Sequence, residues 1–451
     1  MRVLLVSTYE LGHQPLHVAA PAAALQEGGH EVRCVDTAVE HWDPGAVGWA
    51  DAVAFSVPMH TAMRLAMRAA AAVKDQDPDL PTAFYGLYAP VSRDLTIGRL
   101  ADAAFAGTYT PGLVAWVGAL EAGGRDEPGL SVSLDRPEQP LPARDLLPPL
   151  QRYAHLAIDG TERPVGYVEA TQGCLLACRH CPVPTVYGGR FRAVPREAVL
   201  ADIDQLVAAG ATHITFGDPD FLNGPTHSMK LVRELHASWP DLTFDVTTKV
   251  DHVVRDADLW EELAAAGCLF VVSAFETTND AILARLDKGH TAAQEAEVVT
   301  LLRRHGIEPR PSWLPFTPWT TLDDLVDLLD FVVAHDLVGN VDPVQYTIRL
   351  LLPEGSLLLG EPTLEPHLGP YDAETLSYRW TAADPRVDGL QRELTELVEQ
   401  RTEEDASAIA TFLDVNAAVR RAAGRTAEIP DDAIPAGATE GRPRLTEPWF
   451  C

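Results

Sequence analysis

Basic residues are in short supply in this chain. Lys and Arg number 35 against 65 Asp and Glu, a formal net charge of −30 over 451 residues. An average surface of that sign repels phosphate, so neither nucleic acid nor an anionic membrane is expected as a partner. Long apolar runs are also missing. No stretch approaches the roughly 18 residues that a membrane span requires. The opening Met1-Arg2-Val3-Leu4-Leu5-Val6 passes straight into a polar segment without a cleavage pattern, so a cytoplasmic location is expected. Cysteine is scarce as well: there are six. Half of them are bunched within eight residues, which suits a reducing compartment better than a disulfide framework.

What is present is a long alternation of strand and helix patterns. With 46% hydrophobic and 22% charged residues, the chain has the composition of a globular protein of two or three domains. Strand patterns at Val3 to Val6, His30 to Asp36, Asp51 to Val57, Thr82 to Tyr85 and Ala103 to Ala106 are separated by helical ones such as Pro15 to Gln26 and Thr61 to Lys74. This predicts a doubly wound parallel α/β domain over residues 1–125. Its ligands would sit at the carboxyl ends of strands, in the loops near Thr8 to His13, Pro58 to His60 and Gly86 to Pro90. Residues 126–164 are rich in proline and glycine and predict a linker rather than a packed element.

A second alternation starts with a strand at Val165 to Ala170. Strands at His213 to Phe216, Thr243 to Thr247, Leu269 to Ala274, Glu308 to Leu314 and Val344 to Arg349 follow, with helices between them. Six strands and five helices over residues 165–356 predict a partial (β/α)6 barrel, whose chemistry belongs at the C-terminal strand ends. A helical region over 357–427 and a flexible tail over 428–451 complete the expected α/β architecture.

The three bunched cysteines, Cys174, Cys178 and Cys181, follow the first barrel strand. Three close thiolates in a loop suit metal ligation, and with no fourth nearby the simplest iron–sulfur reading leaves one iron open to an outside ligand. A zinc site completed by His180 or another histidine has suitable chemistry. A ferredoxin-like carrier is suggested by Pro182, but the next cysteine is Cys268. Cys34 and Cys268 read as small core residues.

The Cys-x-x-x-Cys-x-x-Cys spacing at a first barrel strand resembles the radical S-adenosylmethionine (radical SAM) enzymes. The resemblance implies that Cys174, Cys178 and Cys181 ligate a [4Fe-4S] cluster and that S-adenosylmethionine binds the open iron. It places His180 near the adenine. Gly217-Asp218-Pro219-Asp220 is similar to the family's Gly-Gly-Glu segment, with the choice between Asp218 and Asp220 open. Lys249 stands where relatives often carry a basic residue, and Ser273-Ala274-Phe275-Glu276 is similar to the segment whose acid reaches the ribose or methionine end. Lys288 and Arg349 are left without a role.

The first domain resembles the cobalamin-binding domain that precedes many radical SAM cores, through Val3 to Val6, His13-Gln14-Pro15, Gly29 to Val32, Asp51 to Ser56 and Gly86 to Ala89. It departs from the pattern in lacking Asp-x-His-x-x-Gly and the second glycine beside Gly86. Leu141 to Pro148 resembles the usual connection between two such domains. Together these imply cobalamin-dependent methyl transfer to an unactivated centre. The alternatives are a radical rearrangement or oxidation, and a non-catalytic corrinoid or iron–sulfur binding protein. The implied partners are an unknown substrate and a reductant such as flavodoxin or ferredoxin. Arg444 to Cys451 resembles the approach to a Cys-Cys-Ala-Glu-Pro tail, or its selenocysteine form, in a small radical SAM group, so the chain is expected to continue past Cys451.

Overall fold

The computed structural model describes residues 1–124, 129–136, 140–426, 434–435 and 437–447. The expectation about Cys451 therefore lies outside the described residues, as does that about the tail at 427–433 and 436.

Six strands form the first sheet: β1 (Arg2–Ser7), β2 (Glu31–Asp36), β3 (Ala52–Ser56), β4 (Thr82–Tyr85), β5 (Ala103–Gly107) and β6 (Gly129–Ser133). Their order is β2-β1-β3-β4-β5-β6, and every pairing is parallel. β3, β4 and β5 are buried along their whole length, as strands covered by helices on both faces must be. One face packs Leu4, Val6, Phe55 and Phe84, the other Val3, Leu5, Ala54 and Tyr85. The order reverses between β1 and β3, which opens a crevice at their carboxyl ends.

The remaining strands are β7 (His155–Ile158), β8 (Thr161–Val168), β9 (Thr171–Gly173), β10 (Phe191–Ala193), β11 (His213–Phe216), β12 (Thr243–Thr247), β13 (Cys268–Glu276), β14 (Glu308–Trp313), β15 (Leu368–Asp372), β16 (Ser377–Trp380) and β17 (Arg444–Leu445). The second sheet runs β14-β13-β12-β11-β8-β7-β17. From β8 to β14 its pairings are parallel, while β7 pairs antiparallel with β8 and with β17. Val168, Ile214, Phe216, Val246, Val271 and Phe275 face the outer helices in the largest core cluster. Val165, Phe270 and Val272 lie on the opposite, interior side.

Three local expectations change. Val344 to Arg349 does not form a sixth strand. Pro343–Thr347 is a 3-10 turn, and a single parallel bridge, Phe316 to Arg349, continues the strand order. Nor is the proline-rich stretch 126–164 free of packed elements. It supplies β6 and β7, and Arg144 within it is buried against Asp202, 2.7 Å away, and the Tyr167 carbonyl. In the tail, Arg444–Leu445 is a strand, because its backbone completes the otherwise open edge of β7.

Candidate active site

The cysteine loop hangs from the end of β8 through the β9–β10 hairpin. Gly173 turns the chain into it at φ 77°. A Cβ there would stand 2.4 Å from the Arg190 carbonyl and 2.6 Å from the Tyr187 ring, so only glycine fits. Cys174, Cys178 and Cys181 are free thiols. Leu176 N–H donates to Cys174 Sγ at 3.5 Å, and that sulfur lies 3.7 Å from Asn223 Oδ1. Burial pushes the Cys181 thiol up to about 12; the neighbouring Cys178 and Cys174 add repulsion and Lys288 opposes it.

Among the described residues no three His, Cys, Asp or Glu side chains are arranged around a single ion. A cluster does not ask for that arrangement, because each thiolate takes a different iron. Three soft donors on one loop, beside a buried Lys288, fit the corner of a cluster in their chemistry.

The strand ends carry polar groups of unequal freedom. Glu276 ends β13 at φ 70°, a left-handed conformation costly for a side-chain-bearing residue. Its Oε1 accepts from Lys288 Nζ at 2.9 Å and lies 3.0 Å from His180 Nε2. Burial alone would raise the Glu276 carboxyl; Lys288 and His180 outweigh it and hold it well below the usual carboxylate range. The structure thus brings together His180, Glu276 and Lys288. His180 Nδ1 is buried without a hydrogen-bond partner among the described residues.

Gly217 lies under Tyr167, where a Cβ would stand 1.9 Å from the phenol oxygen. Asp218 is sealed inside: its carboxylate accepts from Ala170 N–H at 3.1 Å and from the Thr171 hydroxyl. Burial pushes it up to about 7. Asp220 caps Phe221–Asn223 through Leu222 N–H, accepts from the Thr248 hydroxyl at 2.7 Å, and lies 2.6 Å from His252. Both acids therefore hold the loop after β11 together. Lys249 Nζ is 3.5 Å from Asp251.

Alternation along β13 puts Ser273 on the side of Val271 and Phe275, under the helices, where its hydroxyl is buried without a hydrogen-bond partner among the described residues. It does not line the interior. Asn223 is the residue that sequence reasoning missed, since nothing in its local pattern marks it; it also accepts from Leu175 N–H at 3.3 Å.

The crevice of the first sheet faces this region. His17 Nε2 lies 3.1 Å from Glu169, just after β8, and Nδ1 lies 2.7 Å from the Tyr109 hydroxyl. Glu169 and Glu10 outweigh the effect of burial and raise the His17 imidazole to about 9. His13 stacks on Tyr167 with centroids 4.7 Å apart, and burial lowers it to about 4. Glu10, hydrogen-bonded by Ser56 at 3.2 Å, is pushed by burial up to about 7. His60 Nε2 is held at 2.7 Å from the Thr375 carbonyl. Gln172 Oε1 is buried without a hydrogen bond among the described residues. The carboxylate of Glu169, the hydroxyl of Tyr109 and the unpaired amide of Gln172 line the small cavity at this crevice and suit a polar ligand in their chemistry. His17, with both ring nitrogens engaged, is not free to bind a metal.

Comparison with known proteins decides the second half. Residues 168–332 match the model of the radical SAM superfamily. They form a radical SAM domain. An uncharacterized methyltransferase of Pyrococcus horikoshii is 24% identical over 261 residues, 58% of this chain and 54% of the relative. The chain thus spans only about half the length of that curated relative. Among solved structures, the cobalamin-dependent S-adenosylmethionine radical enzyme OxsB with aqua-cobalamin bound superposes with a TM-score of 0.68 at 15% identity, covering 89% of this chain and 67% of that one. TsrM of Kitasatospora setae, a radical S-adenosylmethionine methyltransferase with cobalamin and a [4Fe-4S] cluster bound, gives 0.56 at 18% identity, covering 74% and 70%. The radical SAM domain of this chain and the sheet before it therefore share the fold of these proteins. No helix among the described residues is long and apolar enough to cross a membrane.

Proposed function

We propose that this protein is a radical SAM enzyme that transfers a methyl group to an unactivated centre with the help of cobalamin. The observation that carries the reading is the placement of the Cys174, Cys178 and Cys181 loop at a strand end that faces, through Glu169 and His17, the crevice of a 2-1-3-4-5-6 sheet. The two cofactors, when bound, supply one-electron cleavage of S-adenosylmethionine and a methyl carrier.

The chain's own residues prepare the site. Cys174, Cys178 and Cys181 hold the cluster, with Lys288 offsetting its negative charge. Glu276, kept ionised by Lys288 and His180, offers acceptors to the cationic methionine end or to the ribose. Asp218, Asp220 and Gly217 shape the loop after β11, and Lys249 adds a cation at the next strand end. His17, Tyr109, Glu169 and Gln172 line the crevice proposed for the corrinoid. The domain limits that go with this reading are 1–125, 165–356 and 357–427. A low-potential reductant such as flavodoxin or ferredoxin serves the enzyme, and its five free cysteines among the described residues suit a reducing cytoplasm.

Anaerobic reconstitution with iron, sulfide, cobalamin and S-adenosylmethionine tests the proposal. Dithionite-reduced protein is expected to release 5′-deoxyadenosine, and S-adenosylhomocysteine once substrate is present. Release of neither product by cluster-loaded protein would rule the enzyme out.

A further inference from the structure

The surface around the cysteine loop reverses the charge of the rest of the chain. Residues 170–196 contain Arg179, Arg190, Arg192 and Arg196 and no Asp or Glu, whereas 65 acids in 451 residues would put about four into a stretch of that length. The fold keeps one of these arginines, Arg190, exposed, whereas Arg192 has its Nη1 buried. Arg179 is taken by Glu361 at 2.6 Å and Arg196 by Glu234 at 3.1 Å, but Arg190 and Arg192 make no ion pair among the described residues. The β9–β10 register pairs Phe191 with Gly173 and Arg192 with Gln172, which carries Arg190 on to the position opposite Cys174. Arg190 is exposed. Leu175 is 49% exposed, one of few large apolar side chains so placed. A Cβ at Gly189 would stand 3.6 Å from the Leu175 carbonyl, so the two turns adjoin.

We infer that Leu175, Arg190 and the turn at Gly188-Gly189 form the docking surface for a small acidic one-electron carrier protein. The inference rests on the function proposed above. An exposed leucine beside an exposed arginine that makes no ion pair among the described residues, on a molecule that otherwise repels acidic proteins, selects an acidic partner for this one face. Transient redox complexes need only a small interface. The step balances: the reduced carrier loses one electron, and that electron enters the sulfonium bond of S-adenosylmethionine to give methionine and a carbon-centred radical. The entry point beside Cys174 keeps the donor on the outer side of the loop.

Binding of oxidised flavodoxin to the cluster-loaded full chain, measured by calorimetry across a salt series, tests this without turnover. Wild type is expected to bind with a Kd that weakens as salt rises. Arg190→Glu and Leu175→Glu should each weaken binding at least tenfold, and Arg190→Lys should retain most of it. In parallel, 5′-deoxyadenosine release should fall in Arg190→Glu with flavodoxin as reductant and stay at the wild-type rate with dithionite. Unchanged binding in both charge variants overturns the docking surface, as does failure of wild type to bind at low salt. So does tighter capture of a single-stranded oligonucleotide at the same residues. Loss of dithionite-driven release in wild type would instead refute the proposed function.

Discussion

Lys288 Nζ meets Glu276 Oε1 at 2.9 Å, both side chains out of solvent, immediately beside the cysteine loop. A buried pair of this kind contributes little over an apolar isostere but is costly to break. Lys288→Met or Glu276→Leu alone should destabilise the chain by about 3–5 kcal/mol in denaturant unfolding, and the double substitution by clearly less than the sum. The pH dependence has a definite sign. Glu276 is held below its ordinary value, so its contribution is present above the unfolded value near 4.3 and is lost as pH falls below it.

The crevice responds in the opposite direction. Glu10 is raised to about 7 and His17 to about 9. For both, stability is fully present below the unfolded value and is lost as pH rises through the folded one. The protein should therefore lose thermal stability between about pH 4.5 and 9, through Glu10 in the lower part and His17 in the upper. Glu10→Gln should flatten the lower part of that loss, which amounts to up to roughly 3 kcal/mol for a shift of this size. A wild-type melting profile that stays level up to pH 9 would contradict the buried position of Glu10.

Gly217 has no room for a methyl group. Gly217→Ala should cost about 1–3 kcal/mol through overpacking against Tyr167, and Tyr167→Leu in the same chain should recover part of it. Paired unfolding curves at one pH are sufficient to see this.

The cysteine loop should behave differently from these packed sites. Replacing Cys174, Cys178 or Cys181 by alanine should abolish the cluster's absorbance and 5′-deoxyadenosine release while leaving the far-ultraviolet circular dichroism intact. Iron retained by all three single variants would exclude them as ligands.

The sequence already held much of this layout, for a physical reason. Buried parallel strands demand uninterrupted apolar runs, so β1, β3, β4 and β11 to β13 stand out by pattern. Chemistry at strand ends follows from those positions. What escaped was set by distant partners. β17 exists because β7 offers an open edge, and β6 and β7 hide in a proline-rich stretch whose composition favours loops. Ser273 was assigned to the site by similarity of its segment, whereas the parity of β13 turns it outward. Asn223 acquires meaning only when its loop folds back against Cys174.

The contact between Tyr9 and Glu447, 2.9 Å from hydroxyl to carboxylate, joins positions 438 residues apart. On a ribosome adding about 5–20 residues per second, the loop after β1 waits roughly 20–90 s for its partner. β17, which carries Glu447 to that loop, is equally late. The first sheet can fold long before then, so the loop after β1 gains this contact only once Glu447 has been made. During that interval the loop after β1 is held by the first sheet alone, without the anchor that Glu447 later supplies to Tyr9.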